Sequence, residues 1–186
     1  MNTKNIGFSV TVAVGLVLDQ LTKAWARGEP LLQTRDGWAV SEHFLHLVRR
    51  ENSGAAFSLL SGLPAEWRVL AFAMFNVVAA VIGLWLLSRT TKTRWPRAIG
   101  IGLFVAGAVG NGIDRLIFGS VTDFIRVHAD VEPLYSFILS TFGRADGPVF
   151  NIADVWLLIG VLCILIADWR WERRQSAAEN SNAPSL

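Results

Sequence analysis

The sequence predicts an all-α membrane protein with four transmembrane helices and a small extracytoplasmic β-cradle. Three observations carry that expectation. Of the 186 residues, 52% are hydrophobic and only 17% are charged, whereas a soluble domain of this length carries about 25% charged residues. Four apolar runs are each long enough to cross a bilayer. Basic residues gather beside these runs in a pattern that a membrane topology explains. The chain reads as one integral-membrane domain over residues 1–175, followed by a disordered polar tail over 176–186.

The first helix is expected over about 6–26. Ile6 to Leu18 is apolar and follows Lys4, which imitates a secretory signal, as does the small-x-small triplet Ala24-Trp25-Ala26. A cleavable signal gains nothing from charges between its apolar run and the cut, yet Asp19-Gln20-Leu21-Thr22-Lys23 lies there. Read as one helix, Ile6 to Trp25 rises about 30 Å, the thickness of the hydrocarbon core. Asp19 and Lys23 are four residues apart and share a helix face. Their plainest role is an interfacial ion pair that eases the helix end into water.

Gly28 to Glu66 is a long hydrophilic connection. Turn signals at Glu29-Pro30 and Asp36-Gly37 flank strand-like segments such as Phe44 to Val48, so a small β-structured element on the membrane surface is expected here. Its far end, Asn52-Ser53-Gly54-Ala55-Ala56-Phe57-Ser58, is a patch of small residues. It is either a simple turn or a wall that another backbone can approach closely.

The second helix, about 68–88, holds a single polar residue in its apolar run, Asn76. Arg89, Lys92, Arg94 and Arg97 follow with no acid among them, a short basic loop of the kind retained in the cytoplasm. The third helix, about 97–117, carries Gly100, Gly102, Gly107, Gly110 and Gly112, which permit close packing in lipid. A loop runs on to Pro148. The fourth helix, about 149–170, ends in Arg170, Arg173 and Arg174. Four spans put both termini on the cytoplasmic side, with the connections at 28–66 and 118–149 outside.

The net charge of +2 comes from arginine clusters flanking membrane segments, which does not fit nucleic-acid binding. The single cysteine, Cys163, lies in an apolar run and excludes an intrachain disulfide or a thiolate-cluster metal site. His43 and His46 fall on opposite faces of a strand-like segment, and there is no HExxH. No metal or cofactor is expected. A Ser–Lys nucleophile pairing Lys23 with Ser53 or Ser58 leaves Asp123 and Asp154 without a role.

The topology gathers polar groups at the outer face. Asp19 and Lys23 end the first helix, while Asn111, Asp114 and Arg115 end the third. Asp123 follows, and Asn151 and Asp154 open the fourth. Ionisable groups inside a membrane segment mark functional sites by default. Asp114, followed by Arg115 and one turn after Asn111, fits a structural network closing a helix end. Asp123 has no adjacent base, and Asp154 has Asn151 three residues before it. Two carboxyls in a partly dry site cannot both ionise readily, so such a pair holds one proton and acts as base and acid together. That chemistry suits peptide hydrolysis.

Taken together, these motifs resemble those of the lipoprotein signal peptidases, the bacterial type II signal peptidases. Asp19-Gln20-Leu21-Thr22-Lys23, Asn52-Ser53-Gly54-Ala55-Ala56-Phe57, Gly110-Asn111-Gly112-Ile113-Asp114-Arg115, Val121-Thr122-Asp123-Phe124 and Phe150-Asn151-Ile152-Ala153-Asp154 occur in that family's order. The resemblance implies an inner-membrane aspartyl endopeptidase that removes the signal peptide of diacylglyceryl-modified prolipoproteins by cutting before the lipidated cysteine. It implies Asp123 and Asp154 as the catalytic pair. Asp19, Lys23, Asn52, Gly54, Asn111, Asp114, Arg115 and Asn151 would support the site or contact the substrate. It further implies a β-cradle and a mobile extracytoplasmic helix over the cleft, both assigned to 30–66. Lipidated prolipoproteins and membrane lipid are the implied partners, and a monomer suffices. Two departures stand out. Ala106-Gly107 replaces two adjacent glycines, and 126–148 reads as a surface insertion with no assigned role.

Two other classes fit the sequence less well. A proton- or cation-translocating protein would use the same carboxylates, but a path across the bilayer calls for them at several depths, and such proteins often show repeated halves. A non-catalytic assembly factor would need neither Asp123 nor Asp154.

Overall fold

The computed structural model describes residues 2–54, 62–128, 131–142 and 146–181. Its main helices are α1 (Thr3–Gly28), α2 (Ala65–Ser88), α3 (Trp95–Phe118) and α5 (Ile152–Ser181). Each contains a segment long and apolar enough to cross a membrane, so the chain is a multi-pass membrane protein. Large apolar side chains such as Val14, Leu21, Leu70, Phe75, Leu158 and Leu165 point outward. On a water-soluble bundle this would be a fault, but here it is the surface that lipid covers.

The helix α3 is the axis of the bundle and packs on α1, α2 and α5. Its small residues make this possible. A side chain at Gly107 would strike the Ala153 carbonyl and Leu157 of α5, and one at Gly102 would come within 3.1 Å of the Phe8 carbonyl of α1. Ala106, which stands where a glycine was expected, is fully buried. Its methyl fits because Gly15 faces it: a Cβ at Gly15 would lie 2.8 Å from that of Ala106. One glycine has in effect moved to the partner helix.

The remaining elements are a 3-10 turn (Pro30–Gln33), strands β1 (Trp38–Ser41), β2 (Leu45–Asn52), β3 (Val121–His128) and β4 (Asp146–Phe150), and the short helix α4 (Leu134–Phe142). The strands form one antiparallel sheet in the order β1-β2-β3-β4. Leu32, Ala26 and Phe124 form a buried cluster between the sheet and the end of α1, and Trp25 meets Phe124 edge-on. This contact fixes β3 against the bundle.

The structure corrects several expectations. The cradle is not confined to 30–66, since half of its strands come from the second connection. The segment 126–148, read as an insertion, supplies the end of β3, α4 and most of β4. Residues 149 and 150 belong to β4, and the fourth spanning helix starts at Ile152. That helix continues to Ser181, so the expected disordered tail is helical over 176–181; residues 182–186 lie outside the described residues. Within the described part of 30–66, the 3-10 turn is the helical element ahead of α2. Residues 55–61 lie outside the described residues, and with them most of the small-residue patch.

The two ends of the bundle differ. At one end, Lys4 donates to the carbonyls of Leu87 and Thr90 and so closes the C-terminus of α2. Arg94 and Arg97 bind Asp168 there, and Arg97 also donates to Thr90 Oγ1 at 2.6 Å. The sheet and the carboxylates occupy the other end.

Candidate active site

Asp154 lies in the first turn of α5, where Asn151 precedes the helix. Asn151 Oδ1 accepts from the Asp154 N–H at 3.2 Å, and Asp154 Oδ2 accepts from the Asn151 N–H at 3.0 Å. This is a reciprocal capping box, formed here by Asn and Asp. It locks the Asp154 side chain at the N-terminus of α5.

Asp123 lies on β3 and is only 3% exposed. It arrives by a short path. Gly119 ends α3 with φ +72, a left-handed cap that turns the chain into the strand. In the sheet Asn52 pairs with Val121. Asp123 is therefore its diagonal neighbour on the same face, within reach of a short side chain. Asn52 Nδ2 donates to Asp123 Oδ2 at 2.9 Å, and Asn151 Nδ2 donates to Oδ1 at 2.7 Å.

Asn111, on α3, joins the two carboxyls. Its Nδ2 donates to Asp154 Oδ1 at 2.8 Å, while its Oδ1 accepts from Asn151 Nδ2 at 3.1 Å and from Lys23 Nζ at 2.8 Å. Among the described residues no hydrogen bond joins Asp123 to Asp154 directly. They are linked through the amides of Asn151 and Asn111.

The orientation of each amide follows from an obligate donor. Lys23 only donates, so Asn111 must turn its oxygen toward it. The Gly54 N–H donates to Asn52 Oδ1 at 2.9 Å, and the Asp154 N–H to Asn151 Oδ1. In all three asparagines the oxygen is taken by a group that cannot accept. Each NH2 is thereby left to face a carboxyl. Gly54 itself has φ +89, and a side chain there would enter the ring of Phe72.

Below this layer lies a buried ionic network. Asp19 and Lys23 are both 0% exposed and form a 2.9 Å ion pair, so they are not an interfacial pair reaching water. Asp19 Oδ1 also accepts from the Ala153 N–H at 3.0 Å, tying α1 to the first turn of α5. Burying such charges is costly unless every lone pair is satisfied, and here they are extensively paired. Asp114 is fully buried too, but its partners are not the adjacent Arg115. They are Lys23 at 3.7 Å, Arg27 at 3.5 Å, Gln20 Nε2 at 3.4 Å and the Thr122 N–H at 3.0 Å. Adjacent residues on a helix point about 100° apart, which directs Arg115 elsewhere. Its guanidinium donates to Asn76 Oδ1 at 3.3 Å and to the Asn111 carbonyl at 3.4 Å, and lies over the Phe72 ring.

Arg27, Gln20, Thr122 and Asn76 belong to this network but carried no role from sequence. Arg27 lies one turn beyond Lys23 on the same face, and donates to Thr122 Oγ1 at 3.0 Å. Gln20 donates to Asp19 at 3.0 Å. Asn76 donates to the Ala108 carbonyl at 2.7 Å. An isolated amide in an apolar span was the available signal.

A cavity of about 270 Å3 opens beside these groups, between α2, α3 and α5. Asp154, Asn111, Arg115 and Asn52 form its polar part, and Phe72 and Leu157 part of its apolar wall. Asp123, 3% exposed, lies next to it, held by Asn52 and Asn151. Its carboxyl is pushed up to about 7, chiefly by burial, with the charge of Asp154 adding to the rise and the Asn52 and Asn151 bonds opposing it.

Residues 11–170 match the family model described as signal peptidase (SPase) II. A lipoprotein signal peptidase of Cyanothece sp. is 36% identical, over 98% of each chain. That of Nostoc punctiforme is 37% identical, over 91% of this chain and 94% of its own. A bacterial membrane enzyme solved by the in meso method at 2.3 Å resolution superposes with a TM-score of 0.68 at 26% identity, covering 96% of this chain and 93% of that one.

Proposed function

This chain belongs to the signal peptidase II family, and from that premise we propose that Asp123 and Asp154 form the aspartic dyad with which it cuts its substrate. It is a peptidase that removes signal peptides from prolipoproteins. The bond cleaved is the one before the diacylglyceryl-modified cysteine. The observation that carries the dyad is the asparagine relay, in which the two carboxyls are linked through Asn151 and Asn111.

The roles follow from the surroundings. Asp154 borders the cavity, where the attacking water meets it. It takes a proton from the attacking water. Asp123 is buried and holds the shared proton, which it gives to the scissile carbonyl oxygen as the water oxygen bonds to carbon. When the tetrahedral intermediate collapses, the leaving nitrogen takes the proton from Asp154 and Asp123 recovers its own. Charge balance supports one shared proton. Lys23, Arg27 and Arg115 face the carboxyls of Asp19, Asp114, Asp123 and Asp154. Three cations against four carboxyls are neutral when one carboxyl is protonated.

The scissile segment occupies the cavity beside Asp154, with Gly54 and Asn52 at its edge. The carboxylate end of the bundle faces the outside of the inner membrane, and both termini are cytoplasmic. One chain supplies the whole site, so the monomer is the working unit. A translocation path has less support. Between the two polar ends of the bundle, residues 5–18, 69–87, 98–113 and 155–167 contain no acid to relay a proton.

The test is conversion of a lipidated prolipoprotein by the purified enzyme with Asp123→Asn or Asp154→Asn. Each folded variant should lose cleavage almost completely. Wild-type rates from either one overturn the dyad.

A further inference from the structure

At the end of the bundle opposite the carboxylates, a cavity of about 540 Å3 lies between the start of α3 and the end of α5. The proposed peptidase chemistry does not use it. Its lining includes Arg94, Arg97, Arg170 and Arg174 and contains no acid. Deeper in the bundle the wall is apolar, formed by Ile99, Cys163 and Ile166. Cys163 and Ile166 precede Arg170 by one to two turns, which places them about 6–10 Å further along the axis.

We propose that this cavity binds an anionic phospholipid, with the phosphate on Arg170 and Arg174 and an acyl chain along Ile99, Cys163 and Ile166. The proposal rests on the reading of the bundle as membrane-spanning and is independent of the dyad.

The arginines divide into two groups. Arg94 and Arg97 are engaged by Asp168, and Arg94 also lies over the Trp171 ring. They hold α3 to α5 and shape the cavity. Arg173 lies on the Trp169 ring, 4.4 Å from its centre. Arg170 and Arg174 are left: one turn apart on the same face, both exposed, and without an ion-pair partner among the described residues. Two guanidinium forks at that spacing suit a phosphate. A soluble anion would leave the apolar depth of the cavity empty, whereas an amphiphile fills both parts. Trp95, half-exposed beside the opening, sits where aromatic rings meet headgroups. Basic pockets between spanning helices are a recognised setting for anionic headgroups.

The experiment uses the full chain in a neutral detergent, titrated with dioleoyl phosphatidylglycerol, dioleoyl phosphatidylcholine or inorganic phosphate. Retained lipid is followed by native mass spectrometry and unfolding by a thermal scan. Phosphatidylglycerol should be retained and raise the Tm, while phosphatidylcholine and phosphate should do neither. The double variant Arg170→Gln/Arg174→Gln leaves the Asp168 pairs in place. It should bind phosphatidylglycerol about 30-fold more weakly, as expected for two basic contacts at a lipid surface, with unchanged Tm in lipid-free detergent. Equal retention of phosphatidylcholine, equal protection by phosphate, or undiminished binding by the double variant overturns the proposal. Prolipoprotein cleavage by the double variant in phosphatidylcholine should match the wild type, which separates this test from that of the dyad.

Discussion

Lys23 donates from Nζ to Asn111 Oδ1 at 2.8 Å, and together with Asn151 Nδ2 it fixes which way that amide faces. A buried lysine is thereby coupled to Asp154 without touching it, because the other end of the same amide is the donor to Asp154 Oδ1. The ionic network beneath the two carboxyls thus reaches Asp154 through one amide.

Lys23→Met should lower both kcat and Tm. The stability loss comes from leaving Asp19 and Asp114 short of a cation, a change of about 3–5 kcal/mol for a broken buried pair. Adding Asp19→Leu should recover much of the Tm but not kcat, because Asn111 has still lost one of the two donors that hold its oxygen in place. Equal recovery of both quantities would show that Lys23 acts only on stability. Thermal scans and single-turnover cleavage distinguish the outcomes.

Asn151 both starts α5 and holds Asp123, and a serine separates these tasks. Ser is as good an N-cap as Asn, but it has no NH2 to offer Asp123. Asn151→Ser should keep the Tm within a few degrees while kcat falls about 100-fold, the effect of removing one preorganised donor. A variant with near wild-type kcat would sink the relay.

The pH dependence follows from Asp123, whose carboxyl is raised from 3.8 to about 7. The folded state holds this proton over a range where the unfolded chain has released it. The stabilisation is therefore complete below pH 4, is lost as pH rises from 4 towards 7, and levels off above. Relative to Asp123→Asn, whose side chain does not titrate, the wild type should lose several degrees of Tm across that window. Cleavage should decline above pH 7 as the shared proton is lost. A Tm difference that is flat with pH would place the proton elsewhere.

Gly54→Ala should be severe for two independent reasons. The backbone is at φ +89, which side chains disfavour, and the new methyl would enter the ring of Phe72. Moving Gly54 also moves the N–H that orients Asn52, and hence one of the two donors to Asp123. A drop in kcat of about 100-fold is expected, and unchanged cleavage by a folded variant would contradict the geometry.

The sequence alone was sufficient for the membrane class, the four spans and the clustering of carboxylates at one end. Those features depend on local properties: the length of apolar runs, the placement of arginine and the polarity of helix ends. It also marked Asn111, Asn151 and Asn52 beside Asp123 and Asp154, because their motifs are short and contiguous. What it did not determine was who pairs with whom. Arg115 stands next to Asp114 in the chain, yet the helix turns it toward Asn76 while Asp114 binds Lys23 and Arg27 from another helix. Asp19 and Lys23 read as a wet pair and are dry, since burial depends on neighbours supplied by α3 and α5. The half of the sheet formed by β3 and β4 was missed for the same reason, for β2 and β3 lie some 70 residues apart and pair only once the bundle brings them together. Periodicity and composition are short-range signals, whereas hydrogen-bond partners, register and the dielectric around a carboxyl are set by tertiary structure.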